Sequence, residues 1–384
     1  MDGMPYSQPP RSRMHLLFVA FIGLLLLGLV AINAPITFAQ STSSGANTSQ
    51  ASATNQASGL ATTSSSAVLL DATVESVAKS ANPAVVTITN LQAQTNPRTG
   101  STSTTQQPVD SGSGYIISTD GYVVTNNHVI AGGQSFEVQF MDGSTTSATL
   151  VGTDDVQDVA VLKLDLKSGQ TVPGVLTFGD SSQVVAGQQV VAIGTPYGEY
   201  ANSVSTGIVN AINRSLDEGN GLSMPNLIQH DAPIYPGNSG GPLLDLNGEV
   251  IGMNVAAATD PTTGNQTATG IYFAIDSNVV KEIVDTIIKT GKYDRPYIGI
   301  QSQTTADGQQ VVTVEPGTPG ETAGLQVGDV ITAVDGNKIT DKDPFANQLL
   351  FDHKPGDTVK LTVERNGSET TVSVTLGVRP TTTQ

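Results

Sequence analysis

The chain has 384 residues, enough for two ordinary domains with unstructured connectors. Its net charge of −17 repels a phosphate backbone and so excludes nucleic acid as a partner. The absence of cysteine excludes disulfides, a thiol nucleophile and thiolate metal sites.

Arg11 and Arg13 precede an unbroken apolar run from Leu16 to Ile32. Its length lies at the border between a signal-peptide core of about 7–15 residues and a spanning helix of about 17–25. Residues 15–39 are therefore expected to be a transmembrane anchor or a signal peptide, behind a cytoplasmic tail at 1–14. Thr37-Phe38-Ala39 offers a weak cleavage site, and an uncleaved anchor is the favoured reading. Either way the rest of the chain is exported, because the arginines stay inside. Residues 40–67 are Ser, Thr, Ala, Asn and Gln with few large apolar side chains, which describes a flexible linker.

From Val68 onward short apolar runs recur between turn signals. Tyr115-Ile116-Ile117 and Tyr122-Val123-Val124 flank Asp120-Gly121. Phe136–Phe140 and Ala148–Val151 flank Asp142-Gly143, and Leu243-Leu244 and Val250-Ile251 flank Asn247-Gly248. Asp-Gly and Asn-Gly between such runs are hairpin signals, and their repetition predicts antiparallel barrels or a sandwich. A polar tract, Gln92 to Ser113, is expected to be a long, disordered surface loop. Val279, Val280, Ile283, Val284, Ile287 and Ile288 repeat at helical spacing, with Asp276, Ser277 or Asn278 to cap the start and Gly291 the end. This helix is taken as the boundary between a unit at 68–290 and a second at 291–380. The second has strand-like runs at Tyr297–Ile300, Val311–Val314, Val330–Val334, Val359–Val363 and Val372–Leu376, and a short helix at Pro344–Phe351. No internal repeat is visible.

Chemistry is suggested first by Gly237-Asn238-Ser239-Gly240-Gly241-Pro242. A serine hydroxyl needs an exposed tight turn, a base and an oxyanion site. The glycines allow that turn and let the Gly237 and Ser239 N–H groups face one spot. A glycine-rich turn is also a common plain loop, and a lone histidine is more often structural than catalytic. The chain has four histidines. His15 abuts the apolar run, His230 has no motif around it, and His353 is expected in an exposed turn. His128, in Thr125-Asn126-Asn127-His128-Val129-Ile130, ends a strand. Asp158 opens the run Val159–Leu164, where its position would be fixed. Asp154 and Asp155 are expected to lie solvated in the preceding turn. The order His128, Asp158, Ser239 is that of chymotrypsin-like double barrels.

With these residues in view the chain resembles the HtrA (Deg) family of serine proteases. The matching stretches are Gly121–Val129, Asp158–Leu164, Gly194–Gly198, Thr206–Val209, Asp231–Leu244 and Gly270–Ile275, within a similarity from Val68 to Pro380. The resemblance implies an all-β-dominated fold: a trypsin-like double β-barrel protease domain at 68–290, then a small α+β PDZ domain at 291–380. It implies His128 as general base, Asp158 as its orienter, Ser239 as nucleophile, and Gly237, Asn238 and Ser239 as the oxyanion loop. Pro233 and Tyr235 stand where relatives often have Ala and Asn. Pro233, six residues before Ser239, replaces the aspartate that a pocket for Lys or Arg would need, so cleavage after small or medium apolar residues is expected. The loop Thr259–Thr269 is expected to close one side of that pocket.

Arg295-Pro296-Tyr297-Ile298-Gly299-Ile300 resembles the carboxylate-binding loop of a PDZ domain, and Pro316–Pro319, Ala323–Ile331 and Lys354–Asp357 match the same domain. Tyr297, Ile298, Gly299 and Ile300 are thus the expected site for a peptide C-terminus ending in an apolar residue. Tyr297 and Ile300 can equally serve as core residues. The expected function is a cell-envelope serine endopeptidase acting on misfolded or selected proteins, membrane-tethered or, if the leader is cleaved, secreted. It needs no metal or organic cofactor. The resemblance further implies a homotrimer. The alternative is a non-catalytic exported chaperone or peptide-binding protein.

Overall fold

The computed structural model of the chain describes residues 73–95, 102–217, 223–259, 267–340 and 343–380. The expected tail, anchor and linker at 1–67 lie outside them. Among the described residues no helix is long and apolar enough to cross a membrane.

A helix, α1 (73–81), leads into the first closed barrel. Its strands are β1 (Val85–Thr95), β2 (Thr102–Ile116), β3 (Tyr122–Thr125), β4 (Ser135–Gln139), β5 (Thr145–Asp154) and β6 (Val159–Leu164), in the order β1-β2-β3-β6-β5-β4. A one-turn helix, α2 (Asn127–Ile130), follows β3. The second barrel holds β7 (Gln189–Gly194), β8 (Ser203–Asp217), β9 (Ser223–His230), β10 (Pro242–Leu244), β11 (Val250–Thr259) and β12 (Thr267–Asp276). Its order, read from β7, is β7-β8-β9-β12-β11-β10. The two barrels therefore share one topology, although the sequence carries no repeat.

Packing explains why several strands read as continuous apolar runs rather than alternating ones. Val86, Ile88, Ile116, Val123, Val138 and Leu162 fill the first barrel. Their neighbours Val85, Tyr115, Val124 and Val161 face the other way, into a shared core with Val191, Ile193, Leu244, Met253 and Ile275 of the second barrel. Both faces of such strands are dry, so both faces must be apolar. Each fully buried valine or isoleucine adds about 1.5–3 kcal/mol.

Helix α3 (Ser277–Thr290) closes this shared core with Val280, Ile283, Val284 and Ile287. Asp276 caps its start by accepting from the Asn278 N–H, and Gly291 ends it with φ +79°.

The expected loop at Gln92–Ser113 is instead mostly strand. β1 and β2 pair through Gln92↔Gln107 and out to Thr95↔Thr102. A backbone ladder needs no apolar side chains, so composition missed it.

The C-terminal unit is built on a sheet ordered β14 (Ile300–Thr305), β15 (Gly308–Val314), β16 (Val330–Val334), β18 (Thr358–Arg365) and β19 (Ser368–Thr375). The short β17 (Asn337–Lys338) pairs β16, and β13 (Pro296–Tyr297) pairs β20 (Gly377–Val378). Helices α4 (Pro319–Thr322) and α5 (Phe345–Asp352) pack on this sheet, with Phe345 and Leu349 of α5 joining Ile298, Val311 and Leu361 in one core. The expected strand Tyr297–Ile300 is broken at Gly299, whose φ is +82°.

Candidate active site

The expected base, His128, lies just past the end of β3. Asn126 is extended, and the chain then turns into α2, which presents His128 with its side chain half exposed. The Asp158 carboxylate receives the His128 backbone N–H at 2.8 Å and faces Nδ1 at 2.7 Å. A carboxylate only accepts, so Nδ1 carries the proton and Nε2 keeps a free lone pair. Burial opposes charging of the ring. The hydrogen bond that the ring donates to Asp158 and the charges of Asp158 and Asp110 outweigh it and raise the His128 pKa.

Asp158 sits at φ +55°, an uncommon conformation for a residue with a Cβ. Its carbonyl shows what holds it there: it accepts from the Asn126 side chain at 2.9 Å and from the Asn127 N–H at 3.1 Å. Such strain persists where neighbours over-determine it.

The serine loop lies between β9 and β10. Ser113 of β2 donates its hydroxyl to the Gly237 carbonyl at 2.7 Å and accepts the Thr195 N–H at 2.8 Å, so one first-barrel side chain locks two second-barrel segments. The Ser113 N–H donates to the Ser239 carbonyl at 2.9 Å. Gly237 has φ +97°, and a Cβ there would lie 2.3 Å from the Thr195 carbonyl oxygen. Only glycine fits. Among the described residues no acceptor takes the Gly237 or Ser239 N–H. The Asn238 N–H, by contrast, donates to the Tyr235 carbonyl at 2.9 Å. Asn238, expected to share in the oxyanion loop, closes that loop through this bond. The Ser239 hydroxyl donates to the Val255 carbonyl at 3.3 Å, so alignment with His128 requires a turn about its side-chain bond, as is common in unliganded sites.

The expectation for Asp154 fails. It is 1 % exposed and makes a two-point ion pair with Arg295, Nε to Oδ1 at 3.0 Å and Nη2 to Oδ2. Arg295 also donates Nη1 to the Leu350 carbonyl of α5 at 2.9 Å and lies against the rings of Tyr293 and Phe351. One guanidinium thus ties the turn leading to Asp158 to a helix of the C-terminal unit. Turn composition hid this, because the partner is far along the chain. Asp155 is exposed, as expected.

The other histidines separate from the site. His230 is fully buried inside the second barrel, and its ring nitrogens have no partner among the described residues. Burial pushes its pKa down to about 4. His353 is half-buried, 3.7 Å from Asp335, rather than exposed. His15 lies outside the described residues.

The peptidase domain family described as trypsin-like matches residues 112–253, and the PDZ domain family matches residues 296–376. The chain is 38% identical over 324 residues to the serine protease Do-like HtrA of Bacillus subtilis, covering 77% of this chain and 70% of that protein. The chain belongs to the HtrA (Deg) family of serine proteases. It is also 39% identical over 286 residues to a probable periplasmic serine endoprotease, DegP-like, of Rhizobium meliloti. That match covers 71% of this chain but only 54% of the relative, so the chain spans about half the length of that HtrA protein. Among solved structures, the HtrA-type protease AlgW with a decapeptide superposes with TM-score 0.62 at 31% identity, covering 80% of this chain and 99% of that one. The serine endoprotease of Yersinia pestis gives TM-score 0.60 at 30% identity, covering 80% and 98%. The expected fold, a chymotrypsin-like double barrel followed by a PDZ domain, is the HtrA fold found here.

The expected PDZ residues gather at one end of β14. Ile298 is buried in the core, while Gly299 turns the chain. The Ile298 carbonyl accepts from Gly320 at 2.8 Å and the Gly299 carbonyl from Glu315 at 2.9 Å. Among the described residues their N–H groups have no acceptor. Tyr297 donates its hydroxyl to Glu315, and Ile300 opens β14, whose outer edge is unpaired in the sheet order. Where the primary pocket was expected, the Pro233 carbonyl accepts from Ser205 at 2.8 Å, and the Asp231 carboxylate accepts the Ile208 N–H at 2.6 Å. The middle of the Thr259–Thr269 loop lies outside the described residues.

Proposed function

We propose that this chain is an extracytoplasmic serine endopeptidase that cuts unfolded or selected proteins through an acyl-enzyme. The observation that carries the reading is the His128–Asp158 pair, with Nδ1 fixed at 2.7 Å and Nε2 free, beside a serine loop with two unclaimed N–H groups. Ser239 Oγ attacks the scissile carbonyl while its proton passes to His128 Nε2. The carbonyl oxygen becomes an oxyanion between the Gly237 and Ser239 N–H groups. Collapse breaks the C–N bond, and His128 returns its proton to the leaving amine. A water then gives its proton to His128 and its oxygen to the acyl carbon, the ester breaks, and Ser239 regains its hydrogen. No metal or organic cofactor is required.

Asp231 is engaged by backbone and Pro233 carries no charge, which favours small or medium apolar residues before the cut. The free edge of β14 and the unclaimed Ile298 and Gly299 N–H groups favour capture of a peptide C-terminus at Tyr297, Ile298, Gly299 and Ile300. The peptide complexes of AlgW support the same use here. The periplasmic DegP-like relative supports an envelope location, with residues 15–39 as tether. Membership of the HtrA family favours a role in quality control under stress and a homotrimeric assembly.

The test is hydrolysis of unfolded casein by the full-length protein and by Ser239→Ala, each with and without a peptide ending in an apolar carboxylate. The parent should cleave, and the variant should be slower by about 10⁴-fold or more. Equal rates would overturn the assignment of Ser239. No cleavage by either, with peptide present, would favour the non-catalytic binding protein.

A further inference from the structure

Two aromatic residues flank the serine loop and stay in solvent. Tyr235 lies four residues before Ser239 and is 49% exposed; Tyr197, in the single 3₁₀ turn Pro196–Gly198 between β7 and β8, is 60% exposed. Their rings pair, with centroids 6.3 Å apart and planes inclined by 36°. Pairing usually hides apolar area, yet about half of each side chain remains open. Tyr197 also holds φ +58°, a conformation that is costly for a bulky residue. It is kept there by its N–H, which donates to the Pro236 carbonyl at 2.6 Å, and by the Gly198 N–H, which donates to Thr195 at 3.0 Å. The serine loop itself therefore helps to fix the backbone from which the ring projects.

The side of the cleft can be argued from His128. A Cβ built on Gly112 would lie 2.6 Å from the side chain of Val129, the residue after His128, and 3.2 Å from the Ser239 carbonyl oxygen, so β2 at Ser111–Gly112 runs beside both α2 and the serine loop. The same stretch meets the Tyr197 turn: a Cβ built on Gly198 would lie 2.5 Å from Ser111 Oγ. His128 must hand its proton to the leaving amine, so the chain beyond the scissile bond departs past His128, along β2 and towards Tyr197. The other side of Ser239 is bounded by β11, whose Val255 carbonyl accepts its hydroxyl.

Resting on the assignment of Ser239 and His128 above, we propose that Tyr197 and Tyr235 form an aromatic ledge that binds substrate residues on the leaving-group side of the cut and selects large apolar or aromatic side chains there. The stacking of an aromatic pair beyond its buried area corresponds to roughly a two- to twelvefold preference at one position.

The test is position-resolved mass spectrometry of casein fragments from full-length protein, Tyr235→Asn and Tyr235→Phe. The parent should enrich Phe, Tyr, Leu and Met about threefold or more within two residues after the cut. Tyr235→Asn should flatten that enrichment while the preference before the cut persists, and Tyr235→Phe should keep it, because the ring and not the hydroxyl does the binding. An even distribution after the cut in the parent overturns the ledge even if Tyr235→Asn fails to fold. Retained enrichment in Tyr235→Asn overturns it as well. Ser239→Ala is digested alongside: cleavage that persists in it sinks the peptidase assignment, whereas cleavage that depends on Ser239 but shows no such preference sinks only the ledge. No cleavage by the parent sinks both.

Discussion

The loop before Ser239 and the loop before β14 solve one problem by one means. Each uses a left-handed glycine, Gly237 at φ +97° and Gly299 at φ +82°, to turn backbone N–H groups outward. They differ in what stands behind the glycine. A Cβ on Gly237 would strike backbone, the Thr195 oxygen at 2.3 Å and the Tyr197 nitrogen at 2.7 Å, and Ser113 of the other barrel grips its carbonyl. The three atoms nearest a Cβ on Gly299 would all belong to the side chain of Thr318, on the short connection ahead of α4. The reactive loop is thus fixed by segments of both barrels. The recognition loop is held by Glu315, Thr318 and Gly320, all on one connection within its own domain. An oxyanion must meet donors already in place, whereas a peptide terminus can be met by a loop that adjusts.

The largest expected effect concerns the fastener between the two regions. Arg295→Met strands the buried Asp154 charge and should cost about 3–5 kcal/mol, read as a lowered urea midpoint of the full-length protein. Adding Asp154→Leu should recover most of it, because an apolar pair of similar size replaces an ion pair at little net cost. If Arg295→Met alone leaves the midpoint in place, the turn to Asp158 is held by other contacts and the two regions are independent.

Next comes the glycine comparison itself. Gly237→Ala should slow labelling of Ser239 by a fluorophosphonate about 10²–10³-fold, the loss typical of a displaced oxyanion donor. Gly299→Ala should weaken binding of a fluorescent peptide with an apolar C-terminus by about tenfold, or 1.4 kcal/mol. Near-parental labelling in Gly237→Ala would break the comparison, since it would mean that the reactive loop can shift too.

The contrast also marks what sequence can carry. The hairpins at Asp120-Gly121, Asp142-Gly143 and Asn247-Gly248, the capped helix α3 and the glycines of both loops were legible, because each is set by a few neighbouring residues. His128, Asp158 and Ser239 were legible only as a set, in chain order. Ser113 was not: a serine in a polar tract gives no sign of meeting Gly237 from 124 positions away. Asp154 misled for the same reason, since Arg295 is 141 positions distant. The pairing of β1 with β2 through Gln92–Ser113 escaped because backbone ladders leave no trace in side-chain hydrophobicity. Local chemistry was readable; the long-range clamps that make it rigid were not.

The smallest expected effect tests the electrostatics of the base. The neutral form of His128 is the active one, so kcat/KM rises with pH through the pKa of the free enzyme, which lies above the ordinary imidazole value. Asp110 favours the imidazolium. Asp110→Asn keeps an oxygen for the Ser111 N–H, which Asp110 now accepts at 2.8 Å, and removes only the charge. The acid limb should therefore move to lower pH, with kcat/KM below the limb rising by about twofold, as suits one exposed charge. The plateau at high pH should not move, because the base is neutral there in both forms. Raising the salt towards 1 M should close the gap, since screening then acts within about 3 Å. A limb that shifts upward, or a gap indifferent to salt, would mean that Asp110 acts on His128 through packing rather than charge.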